Sequence, residues 1–118
     1  MWGKKRDRDR RRRTRKSVQW DARSWIEGRR DETSSPCTVL DVTRGGAGLV
    51  VLGRMPVKVS DAVAIEVVKM GGTAVQLTLH GIVEYIDKTA DHGQVRMGVS
   101  LTFSGPHEQR IAQTLFST

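Results

Sequence analysis

Apolar and polar residues alternate along most of this chain, which is the period of a β-strand with one buried face. The alternation is interrupted by turn residues at close intervals, and no segment between the runs has the three- and four-residue spacing of a long helix. We predict six strands from these runs, over residues 17–26, 37–40, 49–52, 62–70, 75–85 and 95–103.

The links between the runs predict how the strands connect. Gly71-Gly72 supplies the positive φ angles that a tight hairpin requires, and the segment 45–48 predicts a glycine-rich break between the second and third strands. In the fifth strand, Val83 and Tyr85 continue the spacing of the earlier apolar residues, so the pattern predicts that both share its buried face. Only the tail changes period: after Pro106, apolar residues recur at helical spacing at Ile111, Ala112, Leu115 and Phe116, and we predict a short C-terminal helix.

Closely spaced strands with hairpin links indicate an all-β domain, a small antiparallel barrel or sandwich. The 118 residues suffice for one such domain. No run of about 20 apolar residues that would span a bilayer and no signal-peptide pattern occurs, so we expect a cytoplasmic protein with no transmembrane segment. The single cysteine, Cys37, excludes an internal disulfide and suits a reducing compartment.

The charge of the chain is concentrated at its N-terminus. Residues 1–16 contain ten Lys and Arg and two Asp. Residues 17–118 contain ten Lys and Arg and eleven Asp and Glu, so this part of the chain is nearly neutral. A segment this basic buries too little apolar surface to offset its conformational entropy. We therefore divide the chain into a flexible basic N-terminal arm, residues 1–16, and a β-domain, residues 17–118, and expect a phosphate-bearing partner for the arm.

The residue types that carry catalysis and metal binding are scattered. The three histidines are far apart and lack metal-site spacing, and Cys37 lies in an apolar strand pattern, where it serves as a small hydrophobic residue. The carboxylates fall on separate segments. We predict that the protein is not an enzyme and has no cofactor and no metal.

Two features of the first half carry a resemblance. Arg11-Arg12-Arg13-Thr14-Arg15 directly precedes the first strand, and Asp41-Val42-Thr43-Arg44-Gly45-Gly46 lies between the second and third. Together they resemble the PilZ domain, a bacterial receptor family for the second messenger cyclic di-GMP, whose pattern is R-x-x-x-R followed by D/N-x-S-x-x-G on a six-stranded barrel with a terminal helix. Residues 59–63 and 95–103 are also similar to family segments, so the resemblance covers residues 10–116.

The resemblance implies a PilZ-like barrel that binds cyclic di-GMP. Arg11 and Arg15 would donate paired hydrogen bonds from their planar guanidinium groups to phosphate oxygens or to the guanine O6 and N7 atoms. Asp41 would accept hydrogen bonds from guanine N1–H and N2–H₂, Thr43 would bond a base or a phosphate, and Gly46 would let the backbone approach the ligand.

Three further expectations concern the ligand. By the resemblance, Arg10, in place of an aliphatic residue before the first motif arginine, favours an intercalated pair of ligands. Arg44, within the glycine-rich loop, is a candidate for an additional phosphate contact, and a solvated loop arginine is the alternative. Thr43 replaces the commoner serine, and its extra methyl is expected to lower the affinity rather than abolish binding.

Three functions fit the sequence. The first is a cyclic di-GMP receptor in which the ligand orders the arm over the barrel and signals to a downstream protein of unknown identity. The second is a non-specific nucleic-acid-binding barrel, which the neutral body and the small number of aromatic residues disfavour. The third is a PilZ-like adaptor that binds only protein, and the motif residues speak against it.

Overall fold

A computed structural model describes residues 16–43, 45–53, 55–87 and 93–103, together with Pro106 and Arg110. Its strands are β1 (Lys16–Ile26), β2 (Ser35–Thr43), β3 (Gly46–Leu52), β4 (Ala62–Met70), β5 (Thr73–Asp87) and β6 (Gln94–Thr102), and a four-residue helix, α1 (Arg30–Thr33), follows β1.

The six strands form a closed barrel in the order β1-β2-β3-β6-β5-β4, and every neighbouring pair is antiparallel. This confirms the predicted six-stranded antiparallel barrel. The predicted N-terminal arm, apart from Lys16, lies outside the described residues. Of the predicted C-terminal helix only Pro106 and Arg110 are described, and both are helical, in agreement with the prediction. The proposed division of the chain near residue 16 stays a prediction.

The interior of the barrel is filled by the inward-facing residues of all six strands. The side chains in this core are mostly β-branched, which pack well on a pleated surface. The largest side chains that are essentially inaccessible to solvent are Leu49, Ile65, Met97, Val39, Val42, Val51, Val63, Val67 and Val83. Cys37 is buried among them, as the sequence predicted.

The second and third strands are longer than predicted because both extend into the motif. Asp41 and Thr43 interrupt the apolar pattern, yet they belong to β2, and Gly46 and Gly48 belong to β3. The prediction that residues 45–48 form a break was therefore wrong at its C-terminal side. Their pairing with β2 and β6 makes them strand residues, and neighbouring groups in the space that a Cβ would take account for glycine at both positions.

The hairpin between β4 and β5 agrees with the prediction, since Gly71 and Gly72 have φ angles of 56° and 94°. The predicted parity of Tyr85 was wrong. The pairing of β5 with β6 shifts register between Val83 and Tyr85, and the extra residue of such a bulge reverses the alternation of faces. Val83 is buried, whereas Tyr85 lies on the outer surface and Ile86 packs against the core instead.

Candidate functional site

The turn between β2 and β3 brings three predicted site residues together at one end of the barrel. Asp41 pairs with Gly48, and Thr43 pairs with Gly46. Two alternate positions of the same ladder, separated by the pair of Val42 with Ala47, therefore hold the described part of the D-x-T-x-x-G segment. Its remaining predicted site residue, Arg44, lies outside the described residues.

A bulge in β2 determines which way Asp41 points. Val39 and Val42 are both fully buried although they are three residues apart, and the pairing with β3 shifts register between Val39 and Asp41. The additional residue, Leu40, breaks the alternation, so Asp41 lies on the outside of the barrel with Thr43. Without this bulge, Asp41 would share the inward face of Val39.

The carboxylate of Asp41 lies over Gly48 on the neighbouring strand. A Cβ built on Gly48 would be 3.0 Å from Oδ1 and 3.1 Å from Oδ2 of Asp41, closer than almost all real contacts of this kind. The absence of a side chain at Gly48 therefore gives the carboxylate its place against the barrel wall. Asp41 is partly buried there.

Thr43 and Gly46 form a close turn around Gly45. The Thr43 hydroxyl accepts a long hydrogen bond from the Gly45 amide, 3.4 Å, and donates one to the Gly46 carbonyl, 3.5 Å. A Cβ on Gly46 would be 3.0 Å from the Val99 carbonyl oxygen, so a side chain at this position would crowd the backbone of β6. The Leu101 amide donates to the Gly45 carbonyl over 2.8 Å and fixes the turn to β6. The long bonds hold the hydroxyl only weakly, which leaves it chemically competent to bond a ligand.

The start of β1 lies beside this segment. Lys16 pairs with Val42 and Ser17 pairs with Asp41, so the chain enters the barrel one strand away from the Asp41 carboxylate. Arg10, Arg11 and Arg15, the arginines predicted as site residues, lie outside the described residues. Their proposed contacts stay predictions.

Two glycines and a tyrosine, none of them predicted as site residues, continue the site away from Asp41. Gly48 of β3 pairs with Gly98 of β6, and Gly98 pairs with Tyr85 of β5. Met97 and Val99 are buried, so the Gly98 position faces outward, as the Gly48 position does between Ala47 and Leu49. We call Gly48 and Gly98 the glycine strip.

The ring of Tyr85 covers the far half of the glycine strip. A Cβ on Gly98 would overlap the ring, with atoms Cδ2 and Cζ each 2.8 Å away. The carboxylate of Asp41 and the ring of Tyr85 thus lie over directly opposed residues, and such positions are about 5 Å apart in an antiparallel pair. Glycines inside strands often mark a close approach of other groups, and this was the available signal in the sequence. The bulge that exposes Tyr85 was not visible there.

The resulting surface combines the anionic acceptor of Asp41, the hydroxyl of Thr43 and the exposed ring of Tyr85. The two positions between Asp41 and Tyr85 in this row are glycines. An acceptor-only carboxylate pairs with a ligand edge that carries N–H donors, and an aromatic ring provides a face for stacking. A flat heterocycle with donors on one edge has the shape and polarity that this surface accommodates.

Other reactive groups lie away from this surface. Burial raises the pKa of the Cys37 thiol to about 11, although a hydrogen bond with Ser24 and the charge of Arg23 act in the opposite direction. A neutral buried thiol is a poor nucleophile. The Nδ1 atom of His80 lies 3.3 Å from a carboxylate oxygen of Glu27, and both side chains are at the surface. Among the described residues, no three potential metal-ligating side chains come together.

No helix within the part of the chain that the structure describes is both long and apolar enough to cross a membrane.

The closed barrel and the placement of the D-x-T-x-x-G segment define the architecture as PilZ-like. The PilZ domain of YcgR from Escherichia coli, solved with c-di-GMP, superimposes with a TM-score of 0.65 at 18% sequence identity, over 87% of this chain and 86% of that one. The inhibitor of motility MotI/DgrA from Bacillus subtilis superimposes with a TM-score of 0.64 at 10% identity, over 88% of this chain and 47% of that one.

This chain therefore spans about half the length of MotI/DgrA. No protein-family model matches the sequence, and no curated protein matches it. The structural likeness shows that the fold of this chain is that of a PilZ-like domain, as the resemblance in the sequence implied.

Proposed function

We propose that this chain binds cyclic di-GMP on the outer face of the barrel, between the N-terminal arm and the glycine strip. The observation that carries the proposal is the pairing of Ser17 with Asp41 in a PilZ-like barrel. It connects the arginine-rich segment, directly before β1, to the carboxylate, the hydroxyl and the close turn of the second motif.

Each described group has a chemical role in this proposal. Asp41 accepts hydrogen bonds from N1–H and N2–H₂ of a guanine, and the Thr43 hydroxyl bonds the base or a phosphate. The ring of Tyr85 offers a stacking face for a purine, and the two glycines of the glycine strip let the Asp41 carboxylate and the Tyr85 ring lie close against the barrel wall. Adenine presents an acceptor at N1 and lacks the N2 amino group, so Asp41 selects guanine.

The arginines of the arm complete the proposed site. Arg11 and Arg15 supply paired donors to phosphate oxygens or to guanine O6 and N7, and Arg10 and Arg44 supply further positive charge. Five extended residues span at most about 17 Å, and β6, which carries Gly98, lies three strand spacings or about 14 Å from β1, so the segment from Arg11 to β1 is long enough to reach the glycine strip. Contacts by Arg10 favour a stacked pair of ligands.

In the proposed mechanism, binding changes the arm rather than the barrel. The phosphates neutralise the arm and hold it across the glycine strip, and this ordering forms a surface that a downstream protein recognises. Part of the interaction free energy is spent on ordering the arm. The proposed activity is binding, with no catalytic step.

Calorimetry with cyclic di-GMP tests the site. The wild-type chain should bind, and Asp41→Ala, Arg11→Ala and Arg15→Ala should each lose at least about 2 kcal/mol of binding free energy, roughly thirtyfold in affinity. Asp21→Ala and Arg29→Ala are the controls, because they remove exposed charges elsewhere on the barrel and should bind as the wild type does.

The alternatives give different results in the same experiment. A nucleic-acid-binding barrel would bind oligonucleotides with a steep salt dependence, and Asp41→Ala would leave or raise that affinity. A protein-binding adaptor would give no heat with cyclic di-GMP. Digestion with trypsin tests the mechanism: bound ligand should protect the arm from cleavage, and unchanged cleavage at saturation would contradict arm ordering.

A further inference from the structure

The strands that carry the proposed site contain almost no positive charge. These strands are β2, β3, β6 and β5, which are neighbours in the barrel and are described over their whole length. We call their outer face the site wall. Their acidic residues are Asp41, Glu84 and Asp87, and their single lysine or arginine is Arg96 of β6. A ligand with two phosphates that lies on the site wall therefore meets three anionic side chains and one cationic one.

Arg96 lies on the same face of β6 as the second glycine of the strip, Gly98. Met97 between them is buried, so its two neighbours point outward, and Arg96 is exposed. Two residues along a strand are about 7 Å apart, which places Arg96 beside the far half of the glycine strip. Gly98 pairs with Tyr85, so Arg96 and Tyr85 are diagonal neighbours on adjacent strands. Such positions are about 7–8 Å apart, within reach of a long side chain.

The barrel does not use the guanidinium group of Arg96. Asp87 lies opposite it on β5 and Val50 lies opposite it on β3. Opposed charges on neighbouring strands attract each other. Even so, no carboxylate within the described part of the chain forms an ion pair with Arg96. The group is therefore available to an anion that arrives from solvent.

We propose that Arg96 binds a phosphate of cyclic di-GMP from the barrel side of the site. This inference rests on the proposed function and adds to it a residue that belongs to neither motif of the resemblance. A base stacked on Tyr85 brings its neighbouring phosphate over Arg96, whose planar guanidinium donates paired hydrogen bonds to two phosphate oxygens. The ligand is then held between cations on two sides, the arm next to β1 and Arg96 on β6.

Calorimetry with cyclic di-GMP, at low and at high salt, tests this contact. At low salt, Arg96→Ala should weaken binding about tenfold, because it removes the one cation of the site wall. Arg96→Lys should weaken it less than about threefold, since an ammonium group also donates to phosphate. High salt should reduce the difference between Arg96→Ala and the wild type, because exposed charges are screened. Lys69→Ala is the matched control: it removes the same charge from an exposed position on β4 and should bind as the wild type does.

The outcomes separate this contact from the site as a whole. If Asp41→Ala loses binding but Arg96→Ala binds as tightly as the wild type, this inference fails and the proposed function stands. If Arg96→Lys binds as weakly as Arg96→Ala, the group at Arg96 is not a phosphate, and the paired acceptors of guanine would explain the loss. A wild type that does not bind cyclic di-GMP would overturn both proposals.

Thermal unfolding of the same samples detects a merely structural role. Because Arg96 is exposed, Arg96→Ala should unfold at the same temperature as the wild type. If it unfolds at a lower temperature and loses the same affinity at low and high salt, Arg96 acts on the fold of the barrel. That result would contradict a direct contact with phosphate.

Discussion

Replacing Gly48 by alanine tests whether the position of the Asp41 carboxylate matters for binding. The added Cβ would lie 3.0 Å and 3.1 Å from the two carboxylate oxygens and 3.3 Å from Cγ. A comfortable contact begins at 3.4 Å, so the carboxylate must retreat by a few tenths of an ångström. Asp41 itself keeps its charge and its hydrogen-bonding capacity, unlike in Asp41→Ala.

The expected magnitude follows from the bonds that this carboxylate makes to the ligand. A hydrogen bond to a charged group contributes about 1.5–3 kcal/mol, and a displaced carboxylate loses about half of that. The new methyl also fills part of the glycine strip. We expect Gly48→Ala to weaken cyclic di-GMP binding about tenfold. The free energy of unfolding should change by less than about 1 kcal/mol, because the preference of the strand for alanine over glycine offsets the crowding.

Calorimetry with cyclic di-GMP and thermal unfolding of the same samples separate these two effects. Leu52→Ala is the matched control, since Leu52 is exposed on the same face of β3 and lies about 13 Å along the strand from Gly48. It should bind the ligand normally. If Gly48→Ala binds as tightly as the wild type while Asp41→Ala does not bind, the carboxylate does not act from its place over Gly48. That result would refute our account of the glycine strip.

Three further predictions concern the barrel itself. Gly81→Ala should destabilise the protein by about 2 kcal/mol in urea unfolding. The new Cβ would lie 2.7 Å from the Ser100 carbonyl oxygen, so the backbone of β6 must shift to admit it. An unchanged midpoint of unfolding would contradict this packing. Ser60 has a φ of 80°, in the left-handed region where a side chain strains the backbone, so Ser60→Gly should stabilise the protein by roughly 0.5–1 kcal/mol. Ser60→Val should destabilise it. If the valine variant is the more stable of the two, the backbone at Ser60 is not strained. Burial raises the pKa of Cys37 from 9.0 to about 11, so the contribution of the neutral thiol to stability is fully present below pH 9. Between pH 9 and pH 11 the free energy of unfolding should fall by about 1.4 kcal/mol per pH unit, because the thiol ionises in the unfolded chain and stays neutral in the folded one. Cys37→Ala should lack that decline, and equal pH dependence of both proteins would show that the thiol ionises freely.

The alternation of apolar residues determined most of the fold. It predicted six strands, the Gly71-Gly72 hairpin and a buried Cys37, because burial of one face imposes a period of two wherever a strand is regular. The spacing of Asp41, Thr43 and Gly46 also determined that these residues meet, since a short turn between paired strands leaves them no other arrangement. These features are local, and local sequence encodes them.

Only the tertiary structure decided which residues flank Asp41. The bulges near Leu40 and Tyr85 reverse the alternation of faces, and a bulge depends on the register with a neighbouring strand. The opposition of Gly48 and Gly98 joins residues fifty positions apart through the closure of the barrel. No periodicity along the chain reports such a pairing, because the strand order β3-β6-β5 brings these residues together only when the whole sheet has formed.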